Sequence, residues 1–142
     1  MSNSYSAADI ERIGRGLIER SLPKSEWTHA AHFAAAFWLL QHPHHDAFRE
    51  MPQLIRAYNE ATGGRNTDTE GYHETITVAS LRAASAWLRE RRHMPLEAAL
   101  SALLGSPLGR SDWLFSYWSR ARLLSVEARR SWVEPDLAPL PF

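Results

Sequence analysis

The chain has 142 residues and a mass of 16.2 kDa, the size of one domain. Sixteen Lys and Arg balance sixteen Asp and Glu, and a formal charge of zero argues against nucleic-acid binding through a general basic surface. Cysteine is absent, which excludes disulfides, thiolate nucleophiles and thiolate-ligated zinc or iron–sulfur centres.

What remains unusual is the presence of six Trp and seven His in so short a chain. The segment that begins MSNSYSAADIERIGRG carries charge and no apolar core, unlike a secretory signal. No stretch approaches the ~18 apolar residues of a membrane span. The expected location is the cytoplasm, with no membrane partner.

In chain order, residues 1–6 are expected to be disordered. Ala7 to Arg20 reads as a first helix, with Ile10, Ile13 and Leu17 at helical spacing. Leu22-Pro23-Lys24-Ser25 breaks it. Ser25 is the expected N-cap of a second helix that runs to about Leu40 and ends at His42-Pro43. Asp46 caps a third, striped by Phe48, Met51, Ile55 and Tyr58, in which Pro52 implies a kink or a restart. Gly63-Gly64 ends it. A polar loop, GGRNTDTEG, leads to a long fourth helix from about Tyr72 to Arg92. Pro95 opens a fifth over Leu96–Leu104. After the turn GSPLGR, Ser111 or Asp112 is expected to cap a sixth helix carrying Trp113, Leu114, Tyr117 and Trp118. Ser125 caps one further turn. The tail, WVEPDLAPLPF, is too rich in proline for regular structure, and its apolar residues imply packing along the domain. Strand alternation is nearly missing. The expectation is an all-α single domain, an antiparallel bundle of about five to seven helices with an irregular Pro-rich C-terminal tail over residues 132–142.

Helical phase sorts the histidines, at about 100° per residue. His29 falls near the middle of the apolar arc of the second helix, and His32 on its edge. His73 falls near the middle of the arc of the fourth, with Thr77 and Ser80 close by. Antiparallel packing would gather Glu26, His29, His32, Arg65, Asn66, Asp68, His73, Glu74, Arg110 and Asp112 at one pole. His42, His44 and His45 would lie exposed at the other.

Three readings of that pole stay open. In the first, His29, His32, His73 and Glu26 ligate a divalent metal (Zn, Fe, Ni or Mn). Glu26-x-x-His29 and His29-x-x-His32 place ligands three apart on one helix face, and bundles build metal sites in this way. In the second, a metal-free pocket binds a small anionic or aromatic ligand. Two helix N-termini, Arg65 and Arg110 would favour an anion. Trp27, Trp113, Tyr72 and Trp118 would wall a planar group. His73 or His29 would be the base, oriented by Glu26 or Asp68. In the third, the histidines are structural and the protein is an interaction module. A homodimer fits that reading, since bundles with surplus aromatics bury them across interfaces. No P-loop, GxGxxG, GxSxG or HExxH motif is present.

Trp27-Thr28-His29-Ala30-Ala31-His32, Tyr58-Asn59-Glu60-Ala61-Thr62-Gly63 and Asn66-Thr67-Asp68-Thr69-Glu70-Gly71-Tyr72-His73-Glu74-Thr75 resemble segments of a group of small bacterial all-α proteins with W-T-H-x-x-H and G-Y-H-E-T signatures. The resemblance implies no activity, cofactor or catalytic residue. It directs attention to residues 27–32 and 66–75. The leading expectation is a pocket lined by His29, His32 and His73 that binds a divalent metal and acts on a small polar molecule, with catalytic roles for His73, His29 and Glu74. Arg65, Asn66, Asp68, Tyr72, Trp27 and Arg110 would contact a small-molecule ligand.

Overall fold

A computed structural model describes residues 4–142. It contains seven α-helices, and no strand among the described residues. They are α1 (Ala7–Glu19), α2 (His29–Gln41), α3 (Ala47–Ala61), α4 (Glu74–Arg89), α5 (Leu96–Leu104), α6 (Arg120–Leu123) and α7 (Val126–Arg130). Short 3₁₀ turns lie at Lys24–Glu26, Pro107–Gly109 and Trp113–Ser116. No described helix is long and apolar enough to cross a membrane.

The helix at the centre is α2. Its run Phe33-Ala34-Ala35-Ala36-Phe37 is buried without a break. A helix apolar on every side has no face to give to water. Helices α1, α3, α4 and α5 all pack against it. The closest approach is made by α1, where a side chain on Gly14 would meet the Trp38 ring.

Several boundaries differ from the sequence reading. Of residues 1–6, expected to be disordered, residues 1–3 lie outside the described residues. Tyr5 packs on the core, and Ser6 forms a capping box with Asp9 at the start of α1. Ser25 lies in a 3₁₀ turn, and Thr28 caps α2 by accepting from the Ala31 amide. Pro52 neither breaks nor restarts α3. The fourth helix begins at Glu74, because His73 is its N-cap and has extended backbone angles. The expected sixth helix is a 3₁₀ turn that ends before Trp118. There Ser119 starts α6 as its N-cap, while Asp136 of the tail accepts from the Ser119 amide and hydroxyl.

Trp132, Leu140 and Phe142 of the tail pack against the core, while Leu137 is exposed. Trp118 donates its indole N–H to the Val133 carbonyl, and Arg122 donates to Glu134. Thr75, fully buried near the start of α4, donates to the Ser131 carbonyl and accepts from the Val133 amide.

Candidate functional site: an uncharged cavity at the start of α2 and α4

The first turns of α2 and α4 meet around a cavity of about 330 Å³. From α2 come His29, His32, Phe33 and Ala36, and from α4 Ile76, Thr77, Ser80 and Leu81. Met51 and Ile55 of α3 form a third wall. Ser111, Trp113 and Leu114 close it. No Asp, Glu, Lys or Arg lines this space. Its polar side chains are two imidazoles, three hydroxyls and the Trp113 indole, set in apolar walls.

The two imidazoles have assigned tautomers. His29 Nε2 lies 2.9 Å from the Leu108 carbonyl oxygen, so Nε2 carries the proton and donates. His32 Nδ1 lies 2.7 Å from the Thr28 carbonyl and donates likewise. That leaves His29 Nδ1 and His32 Nε2 as acceptors, and neither atom has a protein partner among the described residues. Burial pulls the His32 pKa from its usual value near 6.5 down to about 4. The Thr28 hydrogen bond opposes that effect and the nearby His29 adds to it. Trp27 stacks on His32 with centroids 3.8 Å apart, and His29 meets the Phe33 ring edge-on.

The other residues expected at this pole are engaged elsewhere. His73 faces the core, as its phase predicts, but it is the N-cap and precedes the helical repeat. Its Nδ1 accepts from the Ile76 amide at 3.2 Å, and its Nε2 donates to the Leu123 carbonyl at 2.7 Å. Both ring nitrogens are used, and burial lowers its pKa further. Such a residue holds structure and has no lone pair or proton to offer a substrate. Glu74 accepts from the Tyr72 hydroxyl at 2.6 Å, with Arg56 over the Tyr72 ring. Burial first, and then Glu74, raise the Tyr72 pKa. Glu26 is paired with Arg12 at 2.7 Å.

The polar loop is a structural joint. Asn66 accepts from the Asn59 side chain and the Tyr72 amide and donates to the Arg56 carbonyl. Asp68 forms a two-pronged pair with Arg130. Arg65 is exposed beside Glu70. Arg110 pairs with Asp112 and lines a second, outer cavity.

The expected metal set is therefore not assembled. Of His29, His32, His73 and Glu26, only the first two reach one space. Among the described residues no group of three or more His, Asp or Glu is placed to hold a metal ion. A resident metal needs three or more protein ligands as a rule, so the donor set here does not fit one. The anion reading loses its cations in the same way, since Arg65 and Arg110 lie outside the inner cavity. At the far end of α2, His42, His44 and His45 do cluster on the surface as expected, with His45 bonded to Glu50.

Comparison with known proteins finds no matching family model, no matching curated protein and no matching solved structure.

Sequence phase alone found His29 and His32. It did not find that α3 supplies a wall, or that Leu108 is the partner of His29. That partner is a backbone carbonyl far along the chain, which no residue type signals.

Proposed function

We propose that the protein is a metal-free binding module whose inner cavity takes a small, uncharged, largely apolar molecule bearing a hydroxyl or N–H donor. The observation that supports this reading is that His29 and His32, each with one ring nitrogen bonded to a backbone carbonyl and the other left as an acceptor, line a space without charged side chains. A phenol- or indole-sized molecule matches the cavity, which is near the lower end of ligand-pocket volumes. A ligand without a donor would cover both acceptors and pair neither, whereas a hydroxyl or N–H pairs one of them, and this supplies discrimination.

Binding fits better than acid–base catalysis. A general base works best with a pKa near the working pH. An imidazole with a pKa of about 4 is a weak base at neutrality and a dependable hydrogen-bond acceptor.

The test uses phenol and fluorobenzene in calorimetric titrations. His32→Asn keeps a donor for the Thr28 carbonyl and removes the acceptor at the Nε2 position, since its amide oxygen sits nearer the backbone. His29→Gln does the same for Leu108. Wild-type protein should prefer phenol by about tenfold, each variant should lose roughly fivefold of phenol affinity, and the double variant should lose the preference. An unchanged preference in the folded double variant would refute the reading. Protein purified without a histidine tag should retain less than about 0.2 equivalents of Zn, Fe, Ni or Mn.

A further inference from the structure

Trp113 lines the inner cavity and also the outer one, a space of about 720 Å³ whose walls include Phe115, Tyr117 and Phe142. The 110–117 segment forms the partition. Ser111 and Leu114 face inward, Arg110, Asp112, Phe115 and Tyr117 face outward, and Trp113 belongs to both sides. The Tyr117 and Phe142 rings meet the Trp113 indole edge-on at 6.0 Å.

Trp113 is only 5% exposed, and its indole Nε1–H is the one buried side-chain polar atom without a partner among the described residues. The contrast with the other packed indoles is direct. Trp87 donates to the Ala99 carbonyl and Trp118 to the Val133 carbonyl. A buried donor without an acceptor is costly, and native proteins leave few of them. The backbone beneath it is a short 3₁₀ turn. Trp113 opens a four-residue 3₁₀ turn whose N-cap, Asp112, makes no side-chain capping bond, and 3₁₀ hydrogen bonds have poorer geometry than those of an α-helix.

We propose that Trp113 is a ligand-responsive partition: a molecule with a carbonyl oxygen turns the indole aside on binding and takes its Nε1–H as a hydrogen bond. The movement exchanges an unpaired donor for a paired one, which is the differential interaction a ligand needs to shift a conformational equilibrium. Combined with the inner-cavity reading, on which it rests, this defines the ligand class more closely. The molecule is an uncharged aromatic carrying a hydroxyl or N–H donor at its inner end and a carbonyl acceptor at its outer end.

The probes are acetophenone and ethylbenzene, which are nearly equal in size and differ in the carbonyl. In ¹⁵N-tryptophan NMR spectra, the Trp113 indole N–H resonance is identified by its through-space contacts to Tyr117 and Phe142 and by its loss in Trp113→Phe. Acetophenone should move it downfield in a saturable way, and ethylbenzene should not. Calorimetry should show acetophenone bound about fivefold more tightly by the wild type than by Trp113→Phe, with ethylbenzene affected little. The proposal is overturned if the resonance stays in place, if both probes move it equally, or if acetophenone does not bind. Should Trp113→Phe fail to fold, the NMR comparison of the two probes on wild-type protein decides alone. Phenol titration, which depends on His29 and His32, reports separately on the inner cavity: phenol bound without any acetophenone effect would defeat only the role of Trp113.

Discussion

His73 has no unused nitrogen. One holds the first turn of α4, and the other ties that turn to the Leu123 carbonyl, the last carbonyl of α6. Removing it costs a cap, typically ~1 kcal/mol, and a buried hydrogen bond worth about as much again. His73→Ala should therefore lose about 2 kcal/mol in urea unfolding, and His73→Asn, which can still cap, roughly half of that. Neither change should alter phenol binding, because His73 is not in the cavity. His32 makes the opposite forecast, small in structure and visible in pH. Its folded pKa of about 4 lies below the ordinary value near 6.5. Between those values the unfolded chain binds a proton at this position and the folded chain does not. Stability is then full above about pH 6.5 and falls as the pH drops toward about 4. His73, also lowered, adds to the same slope. Denaturant midpoints at pH 7.5, 6 and 5 should decline, and His32→Asn should flatten part of the decline. The lowered carboxylates Glu50, Asp68 and Asp136 act at more acid pH, below their unfolded values of about 4. Phase made His29 and His32 legible. It also places His73 inward, where it is buried, but not as a cap, because histidine is not a favoured N-cap residue type and the helix reads through it.

Among the elements, α1 and α2 depend on a missing side chain. A Cβ on Gly14 would lie 2.5 Å from Trp38 ring atoms near the root of the indole, which cannot swing away cheaply. Gly14→Ala gains up to ~1 kcal/mol of helix propensity and meets overpacking of typically 1–3 kcal/mol. The net expectation is destabilisation by about 1–2 kcal/mol, measured as a lowered urea midpoint. The converse outcome, a more stable protein, would mean that α1 can move away from α2. Helix existence was well marked in the sequence. Periodic apolar residues and strong punctuation, Gly63-Gly64 and Pro95 in particular, gave α1, α3, α4 and α5 nearly correct limits. The segment 112–118 was not legible as a 3₁₀ turn. Its aromatic spacing suits a helix, and what halts it is the distant Asp136, whose carboxylate takes the Ser119 amide and hydroxyl. Thr28 and Ser25 are equally good caps by type, and the 3₁₀ turn after Pro23 decides between them.

Taken as a whole, the molecule is joined by contacts between its middle and its tail. Thr75 donates and accepts across that junction from a site of 0% exposure. Thr75→Val keeps the shape and leaves the Ser131 carbonyl and the Val133 amide without partners. A loss of about 2–3 kcal/mol is expected by urea unfolding. Near-UV circular dichroism should report a disturbed Trp118, whose indole bonds Val133. The all-α class was readable from the absence of strand alternation. The pole was readable only in part, because the expected convergence assumed that every polar residue at one end shares one space. The structure divides them among an inner cavity, an outer cavity and the loop joint.

That loop joint links segments far apart in the chain. The stretch GGRNTDTEG looks like the most yielding part of the sequence, yet Asp68 is held by Arg130, while Arg129 donates to the Gly71 and Tyr72 carbonyls. With Thr75 and His73 added, residues 66–76 and 119–136 are tied together at many points. Such segments open as one cooperative unit rather than fray one at a time. Each link closes a long loop whose entropy must first be overcome, so these segments are expected to join late in folding. The inner cavity has α4 as one wall, so it is completed only when the tail has docked. Ligand binding should therefore slow proteolysis of the tail, although no tail residue touches the ligand.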